Sequence, residues 1–291
     1  MDDAACPGAE LTRFVESVLA APLAEARALS ERRGARVWRV RARSGAAAVL
    51  KVPGGRAAFQ RERRAYLDWA PHLSPWTARL WGVHDAAPAA LLLDELPGAP
   101  AGGGTGHASA RVHRQAGAWL ARLHRLGFED PDATAVDEAY ARRADAWLRR
   151  AQGALDPTAS RRVRARLDAW LPRVRGRGRG PCHRDFGPRN WMVEGDALSG
   201  VIDFEHARPD LPEADLARLA AFTWMDRPDL RNAFLAGYRA GGGPARTAPA
   251  DMDGPMLLEA TGTVVWAARH ADAALEAAGR AALARILAAG P

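Results

Sequence analysis

Lysine is almost missing from this 291-residue chain. Of its 41 basic residues, 40 are arginine and one, Lys51, is lysine. Asparagine occurs twice, as Asn190 and Asn232, and cysteine twice, as Cys6 and Cys182. Two cysteines exclude a disulfide framework and a four-cysteine zinc site. No uninterrupted apolar run approaches the ~20 residues that a membrane-spanning helix needs. The opening Met-Asp-Asp precedes no apolar segment of the secretory type. A soluble, cytoplasmic protein with no membrane partner is expected, and a monomer is taken as the default.

Hydrophobic residues make up 48% and charged residues 26% of the chain, enough for one large or two small globular domains. The net charge of +7 nominally suggests a polyanion as partner. Its distribution argues otherwise. Residues 1–191 carry 32 basic and 20 acidic groups, whereas 192–291 carry 9 and 14. Nor is any RNA-module signature apparent, so no nucleic-acid partner is expected. Heavy use of Ala, Gly, Pro and Arg has the look of GC-rich coding, which exchanges lysine for arginine wherever chemistry allows. A lysine that survives such exchange is a candidate for work that a guanidinium cannot do.

Periodicity predicts a short helix over 10–21, then a β-hairpin over 37–52 that ends at Lys51. A helix over 56–70 follows, with Phe59, Tyr66 and Trp69 on its apolar stripe and Glu62 on the same stripe. Glu62 there is costly unless paired, and Lys51 offers a partner. Strands are expected near 78–83 and 89–93. Beyond Gly102-Gly103-Gly104 the chain reads as helical, over 110–126, 136–154 and 157–171, with a hairpin over 190–203. The outline is α+β: a small β-rich N-lobe over 1–96 and a larger helical C-lobe over 97–291.

His183-Arg184-Asp185-Phe186-Gly187-Pro188-Arg189-Asn190 fits H-x-D-x-x-x-x-N, a pattern that composition alone would produce roughly 0.004 times per chain. Thirteen residues past Asn190 stands Asp203, in Val201-Ile202-Asp203-Phe204-Glu205. If Trp191-Met192-Val193 pairs with Val201-Ile202-Asp203 about a turn centred near Ala197, Trp191 lies across from Asp203. Asn190 and Asp203 then sit within about 5–6 Å between backbones. An amide oxygen and a carboxylate at that spacing suit Mg²⁺. Asp185 is placed to accept a proton from a hydroxyl.

These segments resemble the aminoglycoside phosphotransferase and choline kinase branch of the protein-kinase-like, bilobal fold, strongly over 181–219 and moderately over 46–98. The resemblance implies an ATP-dependent (or GTP-dependent) O-phosphotransferase acting on a small molecule. It casts Asp185 as the catalytic base and Asn190 and Asp203 as Mg²⁺ ligands. Lys51 becomes the phosphate-binding lysine with Glu62 as its partner, and Asp215 the helix aspartate that braces the catalytic loop. Leu93-Asp94-Glu95-Leu96 becomes the hinge at adenine, with Asp94 and Leu96 meeting the base through backbone. Asp185-Phe186-Gly187 spells the magnesium motif of protein kinases but falls too early to serve as one. The nucleotide loop is expected over 30–36, with Ser30 and Gly34.

His183 is read as ordering the loop, Cys182 as a small buried residue, and His124 as a packed helix histidine. Glu205, Asp210 and Asp226 are candidates for substrate contact. With Glu213, Asp229, Asp251, Asp253 and Glu259, the last two make an acidic region suited to a cationic antibiotic, an aminoglycoside or basic cyclic peptide. The alternatives are a metabolic kinase of choline, homoserine or sugar type, and a nucleotide-binding regulator without catalysis. ATP is expected between the lobes and the acceptor on the C-lobe.

Overall fold

A computed structural model describes residues 6–32, 35–102, 108–128, 130 and 132–289. The chain divides into two compact units. The first runs to Ala108 and also takes in Pro188–Arg208; the second holds Ser109–Gly187 and the chain from Pro209 onward. In order, the elements are α1 (Ala9–Leu19), β1 (Leu23–Arg32), β2 (Ala35–Ala42), β3 (Ala47–Val52), α2 (Arg56–Asp68), β4 (Leu80–His84), β5 (Ala90–Leu93) and β6 (Ala99–Pro100). Next come α3 (Ala110–His124), α4 (Val136–Arg150), α5 (Pro157–Trp170), β7 (Gly180–Cys182), β8 (Trp191–Glu194), β9 (Ala197–Val201) and β10 (Arg208–Asp210). Helices α6 (Glu213–Phe222), α7 (Pro228–Ala240), α8 (Pro249–Arg269) and α9 (Ala273–Ala288) complete the chain. Among the described residues, no helix is long and apolar enough to cross a membrane.

In the first unit, β1 to β5 form an antiparallel sheet in the order β1-β2-β3-β5-β4. Successive side chains of a strand point to opposite faces. Trp38, Val40 and Ala42 of β2 and Ala48, Leu50 and Val52 of β3 pack in one core with Leu11, Val15 and Leu19 of α1. Lys51, out of phase with that set, projects from the other face of the central strand. It lies opposite Val37 and Leu91 in the two neighbouring strands. The buried stripe of α2 is Phe59, Glu62, Ala65 and Tyr66. A carboxylate thus enters the interior on a helix face that is otherwise apolar. The helix expected to reach residue 70 ends at Asp68, and a single 3₁₀ turn, Ala70–Leu73, takes over.

Strands β6, β8 and β9 form a second sheet in this unit. A bridge from Thr77 to Val201 and the Val201 N–H donating to Trp76 O at 3.0 Å tie β9 to the chain before β4. These contacts fix the end of β9, where Asp203 follows.

The second unit is mainly helical. Its largest core gathers Tyr140, Val163, Leu167, Trp170, Leu257 and Val264 from α4, α5 and α8. Burying side chains of this size contributes about 1.5–3 kcal/mol each. Helices α3 and α7 approach closely because each has a glycine at the crossing. A Cβ on Gly117 would meet Phe234 O at 2.2 Å, and one on Gly237 would meet Arg114 O at 1.9 Å.

Candidate active site

The surviving lysine is held by two carboxylates. Lys51 Nζ lies 2.8 Å from Glu62 Oε1 and 2.6 Å from Asp203 Oδ1. Burial works against the ammonium, but Glu62 and Asp203 overcome it and hold the Lys51 pKa above the ordinary lysine value. Burial also dominates at Glu62: against the pull of Lys51, it pushes the carboxyl up to about 7. Glu62 Oε1 accepts a second hydrogen bond from Phe204 N at 3.2 Å. Arg61 Nε donates to Glu205 O at 2.7 Å, and the Tyr66 and Phe204 rings meet edge to face. One face of α2 therefore grips the turn that carries Asp203. The Lys51–Glu62 pairing expected from the apolar stripe is present, and the fully buried position of Glu62 explains why a cation must stand beside it.

Asn190 and Asp203 are both in the first unit, at the ends of β8 and β9, but in a register the sequence does not predict. Trp191 pairs with Val201, not with Asp203, and the turn is Gly195-Asp196 instead of one centred on Ala197. The earlier turn accounts for the difference; a bulge between Met192 and Val193 recovers one residue of it, pairing Trp191 with Val201 where a regular hairpin would pair it with Gly200. Ile202 N donates to Asn190 O at 3.0 Å, so Asp203 lies one residue beyond the position facing Asn190. Asp203 adopts φ 72° and ψ 68°, a left-handed conformation uncommon for a side-chain-bearing residue. That turn takes the chain out of the β9 strand direction at the carboxylate that meets Lys51. Asn190 is buried, and the Asp203 side chain keeps 30% exposure.

The rest of the H-x-D motif belongs to the second unit. Asp215, in the first turn of α6, accepts from His183 N at 2.8 Å and from Arg184 N at 2.5 Å. Burial acts to raise its pKa, but the hydrogen bond with His124 and the nearby Arg184 guanidinium help outweigh it, and Asp215 is held below the ordinary carboxylate value. Arg184 has φ 66°, and the next residue is Asp185, which is buried. Phe186 stacks on Trp119 with ring planes 9° apart. The loop around Asp185 is thus fixed by hydrogen bonds to its backbone on one side and ring packing on the other.

A family model described as "Phosphotransferase enzyme family" matches residues 25–250. The chain belongs to the phosphotransferase enzyme family. No curated protein matches it in sequence. Among solved structures, it is similar to a ternary complex of a thermostable mutant of aminoglycoside phosphotransferase APH(4)-Ia with AMP-PNP and hygromycin B. Identity there is 16%, with 97% of this chain and 99% of that one covered at a TM-score of 0.73. Macrolide 2'-phosphotransferase MphH from Brachybacterium faecium matches at 21% identity, 94% and 97% coverage and a TM-score of 0.63. A putative fructosamine-3-kinase from Thermobifida fusca matches at 22%, 94% and 98%, and 0.71. The α+β, kinase-like fold expected from the motifs is the fold of this phosphotransferase.

Among the remaining expected site residues of the phosphotransferase, Ser30 stands elsewhere than the sequence suggests. Ser30 is not in a loop: it lies within β1 opposite Val37, and the hairpin strands run to Arg32 and from Ala35. Gly34 lies outside the described residues. Asp94 prolongs the sheet, its N–H donating to Arg79 O at 2.9 Å and its carboxylate engaging Trp81. Leu96 is half-buried beside Gly200. The Glu205 carboxylate lies 3.5 Å from His206 Nε2.

The acidic region is the largest correction. Asp210 is fully buried, bonded to Tyr140 Oη at 2.7 Å and Arg143 at 2.9 Å, with Arg184 at 3.2 Å. It holds the loop and does not face an acceptor. Asp226 pairs with Arg285, Asp229 with Arg227, Asp251 with Arg173, Glu213 with Arg177, Asp253 with Arg166 and Glu259 with Arg218. Each of these seven acidic residues therefore has an arginine beside it. Arg166, Arg173 and Arg177, which lie outside the last third of the chain, offset part of its acidic surplus.

His124, Cys182 and Asp215 place one ligand atom each within 4.8 Å of one another. These donors are already committed. His124 bonds through both ring nitrogens, Asp215 through both oxygens, and Cys182 Sγ faces Asp210 O and Leu211 O at 3.4 and 3.5 Å. Burial pushes the Cys182 thiol well above its ordinary pKa. A thiol reagent at neutral pH is expected to modify exposed Cys6 quickly in the native protein and Cys182 only after denaturation. Two fast thiols in the native state would contradict this packing.

Proposed function

We propose that this phosphotransferase moves the terminal phosphoryl group of ATP to a hydroxyl of a small-molecule antibiotic. The Lys51–Glu62–Asp203 cluster is the observation that carries the reading. A buried ammonium held between two carboxylates is pre-oriented for phosphate, and the 30% exposure of Asp203 leaves its side chain reachable from solvent. A carboxylate and an amide oxygen are hard donors of the kind Mg²⁺ prefers, so Asp203 and Asn190 fit the ion. When bound, the ion supplies positive charge against the phosphate oxygens. Lys51 supplies more of the same charge. Because the Asp94 N–H is committed within the sheet, backbone contact with adenine there would be made by the Asp94 carbonyl, with Leu96 beside it.

In the proposed step, the acceptor oxygen bonds to the terminal phosphorus of ATP as the bond from that phosphorus to the ADP oxygen breaks. The hydroxyl proton passes to the Asp185 carboxylate. Asp215 holds the two preceding amides, so Asp185 needs little reorganisation to receive it.

The antibiotic assignment draws on what the similar structures are said to be: one complex contains hygromycin B, and another protein is a macrolide phosphotransferase. The arginine pairing of the acidic residues favours a second reading, an acceptor of low positive charge such as a metabolic sugar, in line with the similarity to a putative fructosamine-3-kinase. Incubation with Mg-ATP and a panel of aminoglycosides, basic cyclic peptides, macrolides, choline, homoserine and sugar amines, read by mass spectrometry, separates them. One added phosphoryl group on an antibiotic is expected. Transfer to a metabolite alone overturns the antibiotic reading, and no transfer to any hydroxyl overturns both.

A further inference from the structure

The hydrogen bonds to Asp215 continue deep into the second unit. His124, the last residue of α3, points Nε2 at Asp215 Oδ2, 3.0 Å away, and Nδ1 at Tyr238 Oη, 2.7 Å away. The His124 and Asp215 side chains are wholly shielded from solvent, and Tyr238 is buried. Tyr238 Oη also accepts from Ala245 N at 3.0 Å, in the connection between α7 and α8. Donor rules leave one consistent assignment for a neutral imidazole. Ala245 N–H donates to Tyr238; the Tyr238 hydroxyl, kept protonated by burial, donates to Nδ1; and Nε2–H donates to Asp215. Asp215 then receives His183 N–H and Arg184 N–H. All members run in one direction.

The helices make this possible. The Gly117–Gly237 crossing brings α3 and α7 together; Tyr238 follows Gly237 at the crossing, and His124 ends α3 seven residues beyond Gly117. Side chains at that crossing would force the helices apart and lengthen the 2.7 Å contact. The far end is fixed as well: Arg246 N donates to Glu213 Oε1 at 2.6 Å, and Arg177 donates to the same oxygen at 2.8 Å. Glu213 opens α6, the helix that carries Asp215.

We propose that His124 and Tyr238 are positioning residues: they set the orientation of Asp215 and, through the His183 and Arg184 amides, the placement of Asp185. This rests on the reading of Asp185 as the group at the acceptor hydroxyl. Neither residue touches substrate in this role. Losing either breaks a hydrogen bond in a chain that ends on a buried carboxylate, where such bonds matter most.

The test compares Tyr238→Phe, His124→Leu and His124→Gln with the parent enzyme. It reads kcat, the KM for ATP, and amide exchange at His183 and Arg184. Tyr238→Phe keeps the ring and removes only the hydroxyl, so the fold is retained. Tyr238→Phe and His124→Leu are expected to lower kcat about 10-fold with KM for ATP unchanged, and to speed exchange of both amides at least ~10-fold. His124→Gln, whose amide can still donate to Asp215, is expected to recover part of both. Exchange as slow as in the parent overturns the proposal, as does a loss confined to KM. Asp185→Asn run in parallel keeps the two ideas apart. If it retains turnover, the reading of Asp185 fails, while the exchange rates still decide whether His124 and Tyr238 order the loop.

Discussion

Asp185→Asn is expected to lower phosphotransfer by about 10²- to 10⁴-fold, the range that a positioned general base supplies. Asparagine has nearly the same shape and still accepts a hydrogen bond, but it takes no proton at neutral pH. The loop should stay in place, because its backbone is held by Asp215 and its Phe186 ring by Trp119. The phosphate-side cluster of Lys51, Glu62 and Asp203 does not include Asp185, so affinity for Mg-ATP should be preserved. Equilibrium binding of a fluorescent nucleotide and steady-state turnover on the identified acceptor separate the two. Full turnover in the variant would remove Asp185 from the mechanism. Loss of turnover and nucleotide binding together would make it a structural residue.

What could be read from sequence depended on whether the deciding contact was local. Glu62 was legible because a charge on an apolar helical stripe demands a partner, and Lys51 was legible because it is the one lysine in a chain of arginines. The hairpin was visible from its apolar strands, but its register was not. The bulge after Met192 and the Gly195-Asp196 turn depend on backbone conformation, with Gly195 at φ 60°. Ser30 was misplaced because β1 reads Leu-Ala-Glu-Ala-Arg-Ala-Leu-Ser-Glu-Arg, whose alternating positions are filled by alanine, a residue depleted in strands. Charge misled for another reason. Asp253 meets an arginine 87 residues away and Asp210 one 67 residues away, so charge summed along the chain says little about charge in space. His124 was correctly expected to be buried, yet its two partners lie 91 and 114 residues on, beyond what periodicity can register.

Asp203→Ala is the complementary experiment and is expected to abolish turnover by a different route. If Asp203 binds the metal, its loss should weaken Mg-ATP at least as much as the roughly 10- to 100-fold seen when a mere outer partner of a metal ligand is changed. The fold should survive, because Lys51 keeps its 2.8 Å contact with Glu62 and no buried charge is stranded. Lys51→Met would not be so clean. It leaves Glu62 buried without its cation, a change that typically costs about 3–5 kcal/mol of stability. Chelated nucleotide supplies the decisive contrast. With excess EDTA, ATP meets Lys51 directly, and the carboxylate 2.6 Å from that ammonium repels the phosphates and competes for the charge. Removing it should leave metal-free ATP binding unchanged or strengthened, while Mg-ATP binding falls. A variant that loses both forms equally would show that Asp203 shapes the pocket without holding the ion.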